Sequence, residues 1–153
     1  MLRISKLADY GTVVMVYLAN NQQQLLNARA ISEATKLAVP TVSKILKLLA
    51  TAGLLRSERG VAGGYQLIRA ANEISIADII YAVEEQRGLT SCSVSHGDCA
   101  IEPYCVIQGN WRLISRAIET ALEGVTLAEL AKPGLRTIQV DGIRRIVSGE
   151  YSG

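Results

Sequence analysis

Hydrophobic residues recur with helical spacing through the first part of the chain. Ser5 can cap a helix, and the apolar side chains after it stand three and four residues apart, at Leu7, Tyr10, Val14, Tyr17 and Leu18. A second, shorter helix is predicted over 28–36, with Asn27 as its cap. In that helix Ile31 and Ala34 are expected to face the protein interior.

A third helix is predicted over 41–52. Pro40 suits the first turn of a helix, and a proline favours an extended conformation for the residue before it, here Val39. Gly53 stands where a left-handed residue commonly ends a helix. The stripe that this helix is expected to bury consists of Val42, Ile45, Leu46 and Leu49. Two short helices joined by a turn of a few residues are typical of a helix-turn-helix.

The segment after the third helix has the pattern of a β-hairpin. Strands are predicted over 54–59 and 65–69, and the connection 60–64 contains three glycines. A hairpin that directly follows a helix-turn-helix is the arrangement of winged-helix proteins. We therefore predict a mainly α fold with a small β-hairpin wing.

Helical spacing returns after the hairpin. The sequence predicts a helix over 75–84 with Ser75 as its cap, a long helix over 109–123, and a final helical turn over 126–130. The long helix has a wide apolar stripe, made of Trp111, Ile114, Ile118, Leu122 and Val125 with Leu113 and Ala117 beside it. A small domain does not cover so wide a stripe. We expect a second copy of the chain to cover it, which makes this a dimerisation helix.

Charge is distributed unevenly along the chain. Residues 1–69 contain nine Lys and Arg against three acids, a net charge of +6, whereas residues 70–153 have a net charge of −4. A basic half of this kind indicates a polyanionic partner. On the third helix and the wing, the residues suited to double-stranded DNA are Thr41, Ser43, Lys44, Lys47, Arg56, Arg59, Gly63 and Gly64. The glycines are expected to let backbone amides approach a phosphate.

The sequence predicts no membrane association. The longest uninterrupted apolar run, 13–19, is far shorter than the ~18 residues of a membrane-spanning helix. The N-terminal segment lacks the pattern of a signal peptide, so we expect a cytoplasmic protein.

The three cysteines of the chain lie close together, at Cys92, Cys99 and Cys105. Their odd number and the lack of a secretion signal argue against a disulfide framework. Three thiolates in one loop favour a soft-metal site, either zinc or an iron–sulfur cluster. Both need a fourth ligand, and His96, the only histidine, lies within the loop. No Lys or Arg lies between Cys92 and Cys105, which disfavours a thiol enzyme.

These observations divide the chain into four regions. Residues 1–86 are predicted to form a winged-helix DNA-binding domain, and 87–108 a cysteine-rich loop that binds the zinc ion or iron–sulfur cluster. Residues 109–131 supply the dimerisation helix and the final helical turn. The sequence assigns no role to the tail, 132–153.

The order of these motifs resembles that of the winged-helix iron–sulfur regulators of the IscR and NsrR type. The resemblance rests on the N-terminal segment 2–11, the wing segment 59–65, the three cysteines, the helix that contains Trp111, and the segment 125–130. It covers about residues 1–133. The segments 39–49 and 108–111 look closest to the regulators of SUF-type iron–sulfur assembly.

The resemblance implies a homodimeric transcription regulator, not an enzyme, that represses iron–sulfur assembly genes. It implies a 4Fe-4S or 2Fe-2S cluster held by Cys92, Cys99 and Cys105. In NsrR-like members the fourth ligand is the aspartate of Asp-Tyr-Gly, supplied across the dimer, which here corresponds to the partner subunit's Asp9. IscR-like members have a histidine three residues after the last cysteine, where this chain has Gln108. His96 is the second choice, and a zinc-stabilised winged-helix protein without redox sensing is the alternative.

Overall fold

Within residues 3–84 and 104–133, the part of the chain that the computed structural model describes, the fold consists of helices and one small hairpin. The elements in chain order are α1 (Lys6–Asn20), α2 (Ala28–Thr35), α3 (Val39–Thr51), β1 (Leu55–Glu58), β2 (Gly64–Leu67), a 3₁₀ helix (Ala71–Glu73), α4 (Ile76–Val83), α5 (Gln108–Glu123) and α6 (Leu127–Leu130). The predicted fold class, mainly α with a hairpin wing, is confirmed. The cysteine loop up to residue 103 and the tail from residue 134 lie outside the described residues.

The predicted helix caps are confirmed. The Ser5 hydroxyl accepts a hydrogen bond from the Ala8 amide at 3.1 Å, and the Asn27 side chain accepts one from the Ala30 amide at 2.9 Å. At α4, the Ser75 hydroxyl and the Asp78 carboxylate each accept a hydrogen bond from the other residue's backbone amide. Each cap satisfies amide groups that the first turn of a helix leaves without a partner.

Helix α3 begins two residues earlier than predicted. It starts at Val39, and Ala38, rather than Val39, is the extended residue before it. Pro40 lies inside the first turn, where a helix requires no amide donor. The predicted stripe is confirmed, since Val42, Ile45, Leu46 and Leu49 are all fully buried. Gly53 has the expected positive φ, 76°.

One inward position was predicted wrongly, because Ala34 is exposed whereas Ile31 is fully buried. Helix α2 ends at Thr35, and Lys36 turns the chain in a left-handed conformation with φ 63°. The turn brings Leu37 against the core in place of a further residue of α2. The Ser32 hydroxyl donates a hydrogen bond to the Leu37 carbonyl at 2.6 Å and so holds this turn.

The wing is an antiparallel pair in which Leu55 lies opposite Leu67 and Glu58 opposite Gly64. A third piece of extended chain joins it, since Leu26 and Tyr65 exchange backbone hydrogen bonds of 3.1 and 2.8 Å. The hairpin is therefore attached to the segment between α1 and α2 as well as to α3.

The core gathers side chains from α1, α2, α3 and α4. It also includes Leu127 of α6, which is fully buried. Two backbone hydrogen bonds fix this C-terminal turn to the start of α4, from the Leu127 amide to the Ile74 carbonyl at 2.8 Å and from the Ile76 amide to the Val125 carbonyl at 2.9 Å. None of the described helices is long and apolar enough to cross a membrane.

Candidate nucleic-acid interface

Helix α3 presents its two lysines directly opposite its buried stripe. With 3.6 residues per turn, Lys44 and Lys47 fall at the centre of the outer face and Thr41 and Ser43 at its two edges. The structure agrees, because both lysines are exposed and both hydroxyl residues are half-buried. The helix thus offers two cations flanked by short hydroxyl groups, which suit phosphates and the edges of bases.

The arrangement of α2 before α3 fixes how this face is presented. The two helices pack against each other, and α3 also packs against α1, α4 and β1. Because four apolar side chains of α3 are fully buried, the helix cannot rotate without exposing them. Arg29 on α2 forms an exposed ion pair with Glu33 at 3.3 Å, so part of its charge is compensated within the chain.

The two predicted arginines of the wing differ in their hydrogen-bond partners. Arg59 follows β1 at the turn, is exposed, and has no hydrogen-bond or ion-pair partner among the described residues. Arg56 is also exposed, but its guanidinium Nη2 donates a hydrogen bond to the Gln66 side-chain oxygen at 2.6 Å. The sequence did not reveal this pairing, because it depends on the register of the hairpin. At the tip of the wing the apolar residue Val61 is fully exposed, so it belongs to the surface that the wing presents.

The two wing glycines have a packing role. A Cβ atom at Gly64 would lie 2.7 Å from the Leu26 carbonyl carbon, and one at Gly63 would overlap the Glu58 carbonyl oxygen. Gly64 is itself buried. Glycine at these positions therefore allows the turn and the close approach of β2 to Leu26. A contact between their amides and phosphate stays a prediction.

The predicted metal ligands are only partly within the described residues. Cys105 is half-buried and lies just before α5, whereas Cys92, Cys99 and His96 fall outside the described ranges. Asp9 is exposed on the first turns of α1. Residues 3–84 and 104–133 contain no group of three or more His, Cys, Asp or Glu side chains placed to hold a metal ion.

Asp9 lies in a shallow groove of about 360 Å³ between α1, α4 and α6. Arg3 and Lys6 supply cations to this groove, while Ile4 and Leu130 supply exposed apolar surface, 60% and 37% exposed respectively. The groove thus combines one carboxylate and two cations with an apolar rim.

Helix α5 shows two kinds of environment along its length. Near its C-terminal end, Leu122 packs against the core. In its first half, Leu113 and Ile114 remain 49% and 45% exposed. Ile107, just before the helix, is 47% exposed. The predicted apolar stripe is therefore present, and Leu113 and Ile114 are the two of its seven residues that remain exposed in the described chain.

Comparison with known proteins identifies relatives over most of the chain. A family model described as "Rrf2: Iron-dependent Transcriptional regulator" matches residues 4–133. The protein rrf2 of Nitratidesulfovibrio vulgaris is 26% identical over 132 residues, which cover 86% of this chain and 88% of that protein. The HTH-type transcriptional regulator IscR of Vibrio campbellii is 32% identical over 132 residues, 86% of this chain and 78% of that protein.

Solved structures also resemble this chain over most of its length. CymR, the global cysteine regulator of B. subtilis, superposes with a TM-score of 0.66 at 27% identity and covers 86% of this chain and 97% of its own. IscR of T. potens gives a TM-score of 0.66 at 27% identity and covers 89% and 94%. The prediction that the chain is not an enzyme is confirmed, because the family model and these structural neighbours are of regulators.

Proposed function

Because the chain belongs to the Rrf2 family of iron-dependent transcriptional regulators, and is therefore a DNA-binding regulator, we propose that it binds operator DNA as a homodimer under the control of an iron–sulfur cluster. The observation that carries the proposal is the outer face of α3, where Lys44 and Lys47 stand exposed next to the wing. The proposed role is repression of iron–sulfur assembly genes, with release of DNA when clusters are scarce or oxidised.

The DNA contact follows from the shape and charge of the winged helix. An α-helix fits the major groove of B-DNA, where Lys44 and Lys47 can reach bases or phosphates and the flanking hydroxyl groups can donate hydrogen bonds. The wing then meets the neighbouring backbone or minor groove with Arg56 and Arg59, which a narrow minor groove attracts through its negative potential.

The dimer follows from α5. Its half-exposed apolar side chains need cover, and a second copy of the chain supplies an identical stripe related by two-fold symmetry. A two-fold dimer also matches the symmetry of palindromic operators, in which half-sites are spaced by about one helical turn.

The donor set of the chain fits an iron–sulfur cluster. Cys92, Cys99 and Cys105 provide three thiolates, and Cys105 is half-buried at the foot of α5, next to the proposed dimer surface. The partner subunit's Asp9 provides a carboxylate that is exposed in the groove beside α4. When bound, the cluster would link the two subunits in a way that depends on redox state and iron supply. A carboxylate is a harder ligand than a thiolate, so the bond from Asp9 to the cluster iron should be weaker than the bonds from the three cysteines.

The test of the sensing proposal compares loaded and cluster-free protein on one DNA. Anaerobically purified protein is used to select DNA from a random pool, and iron, sulfide and zinc are quantified on the same sample. We expect a brown protein with matching iron and sulfide, and a loss of affinity when the cluster is removed at fixed salt. Equal affinity of both forms would contradict sensing. A colourless protein with one zinc per chain would assign the cysteines to structural zinc.

The test of the DNA interface is Lys44→Ala. Loss of a base contact should cost about 1–3 kcal/mol of binding free energy and relax sequence preference at one position. Loss of a phosphate contact should instead weaken binding to scrambled sequences equally. Arg29→Ala is the matched control, because Arg29 is an exposed cation on α2 that is already paired with Glu33. Unchanged affinity for the Lys44 variant would exclude this face of α3 from the interface.

A further inference from the structure

A chain of polar contacts crosses the wing and ends on the segment between α1 and α2. The Arg56 guanidinium donates to the Gln66 side-chain oxygen at 2.6 Å, and the Gln66 side-chain nitrogen donates to the Gln22 carbonyl oxygen. Arg56 and Gln66 lie directly opposite each other in the β1–β2 pairing. Opposite residues in an antiparallel pair share a face and have their Cβ atoms about 5 Å apart, so the register itself brings these side chains together.

The two partners fix the orientation of the Gln66 amide. The amide oxygen faces a group that can only donate, the guanidinium, and the amide nitrogen faces a group that can only accept, the carbonyl. A reversed amide would place donor against donor and acceptor against acceptor. The segment that carries the Gln22 carbonyl is also held in place, because Leu26, four residues after Gln22, pairs through its backbone with Tyr65. Gln66 thus connects Arg56 to the body of the domain.

We propose that Gln66 is a positioning residue that holds the Arg56 guanidinium in the orientation in which it contacts a DNA phosphate. The inference rests on the proposed use of the wing in DNA binding. Arginine has five N–H donors in a planar fork, and the bond to Gln66 leaves others available to a phosphate. A side chain that is already held loses less conformational entropy when it binds.

Arg59 provides the internal comparison. It lies on the same wing and is exposed, but it has no hydrogen-bond partner in the part of the chain that the structure describes. Gln66 should therefore affect the contribution of Arg56 and leave that of Arg59 unchanged. A general effect on wing stability would change both.

The experiment is a pair of double-mutant cycles with the full chain, prepared as for the DNA selection. Gln66→Met keeps the length of the side chain and removes both hydrogen bonds. We expect it to weaken DNA binding about threefold to tenfold and to make the slope of log K against log salt shallower by about 0.9, the loss of one phosphate contact. In the Arg56→Ala background, Gln66→Met should cause no further loss of DNA affinity. In the Arg59→Ala background, the fold losses of affinity from the two substitutions should multiply.

The controls separate positioning from stability and from the proposed function itself. Gln23→Met, at an exposed position next to Gln22, should leave affinity and salt slope unchanged, and Gln66→Met should keep the parent melting temperature. An equal effect of Gln66→Met with and without Arg56 would overturn the inference. If Arg56→Ala weakens binding while Gln66→Met does not, only the positioning role fails. If neither Arg56→Ala nor Arg59→Ala weakens binding, the proposed use of the wing fails first.

Discussion

The winged-helix body and helix α5 have similar hydrophobic patterns and different degrees of burial. In the body, the apolar stripe of α3 is buried completely. On α5, Leu113 and Ile114 belong to an equally regular stripe and stay about half exposed. The difference shows that periodicity indicates which face of a helix avoids water, while the surrounding elements determine whether one chain can cover that face.

The boundary between these two environments lies within the C-terminal segment. Leu122 packs against the core, and Leu127 is as fully buried as any residue of α3. Backbone hydrogen bonds to Ile74 and from Ile76 hold the segment at that point. Helix α5 is therefore anchored at its C-terminal end, and its exposed apolar side chains lie in its first half.

Truncation of matched leucines tests this boundary. Leu127→Ala removes a fully buried side chain and should lower the free energy of unfolding by about 2–5 kcal/mol, because it leaves a cavity in the core. Leu113→Ala makes the same chemical change at a half-exposed position and should cost much less in a monomeric background. Denaturant unfolding of both variants at low protein concentration measures the difference. Similar losses of unfolding free energy at the two positions would contradict the difference in burial between Leu127 and Leu113.

A charge placed on the exposed stripe tests the proposed dimer. Ile114→Glu puts a carboxylate on the surface that a second copy is proposed to cover, and burial of an unpaired charge is unfavourable. We expect the dimer dissociation constant to rise at least tenfold, about 1.4 kcal/mol, with the helical content of the chain retained. Sedimentation over a range of concentrations measures it.

Glu123→Ala is the control for that experiment, since Glu123 is exposed and lies nine residues further along α5, on the side of the helix opposite Ile114. It should leave the dissociation constant unchanged. A wild-type chain that stays monomeric at every concentration would instead show that α5 does not associate with itself.

The smallest expected effect concerns the cap of α6. The backbone amide and the hydroxyl of Thr126 donate hydrogen bonds to the Glu129 carboxylate at 2.8 and 2.9 Å and lower the pKa of Glu129 below its ordinary value. Lys132 lowers it further. The pKa of Glu129 is lower in the folded chain than in the unfolded chain. The ionised carboxylate therefore stabilises the fold fully above the unfolded-state pKa of about 4.3, and this stabilisation is lost as pH falls through the folded-state pKa.

Glu129→Gln isolates this charge, because glutamine can still complete the capping box. The melting temperature of the wild type should exceed that of the variant at neutral pH, and the difference should disappear as the pH falls well below 4. A difference that stays constant across the acidic range would mean that the charge of Glu129 does not stabilise the turn.

Several features could be predicted from the sequence because their causes are local. The caps at Ser5, Asn27 and Ser75 each depend on a side chain and an amide three residues apart. The stripe of α3 depends only on helical period, and so does the placement of Lys44 and Lys47 on the opposite face. The order of motifs was enough to predict the family, which the family model and the IscR relatives confirm.

Other features depend on contacts between segments that are far apart in the chain. The chain turn at Lys36 brought Leu37 to the core where Ala34 was expected, and the approach of Leu26 made Gly64 a packing residue. The hairpin register paired Arg56 with Gln66, which distinguishes it from Arg59. The sequence by itself determined which residues prefer helix, turn, core and solvent, because those preferences are properties of short segments. Only the tertiary structure decided which preferences were satisfied within one chain, because burial depends on what the rest of the fold places against each surface.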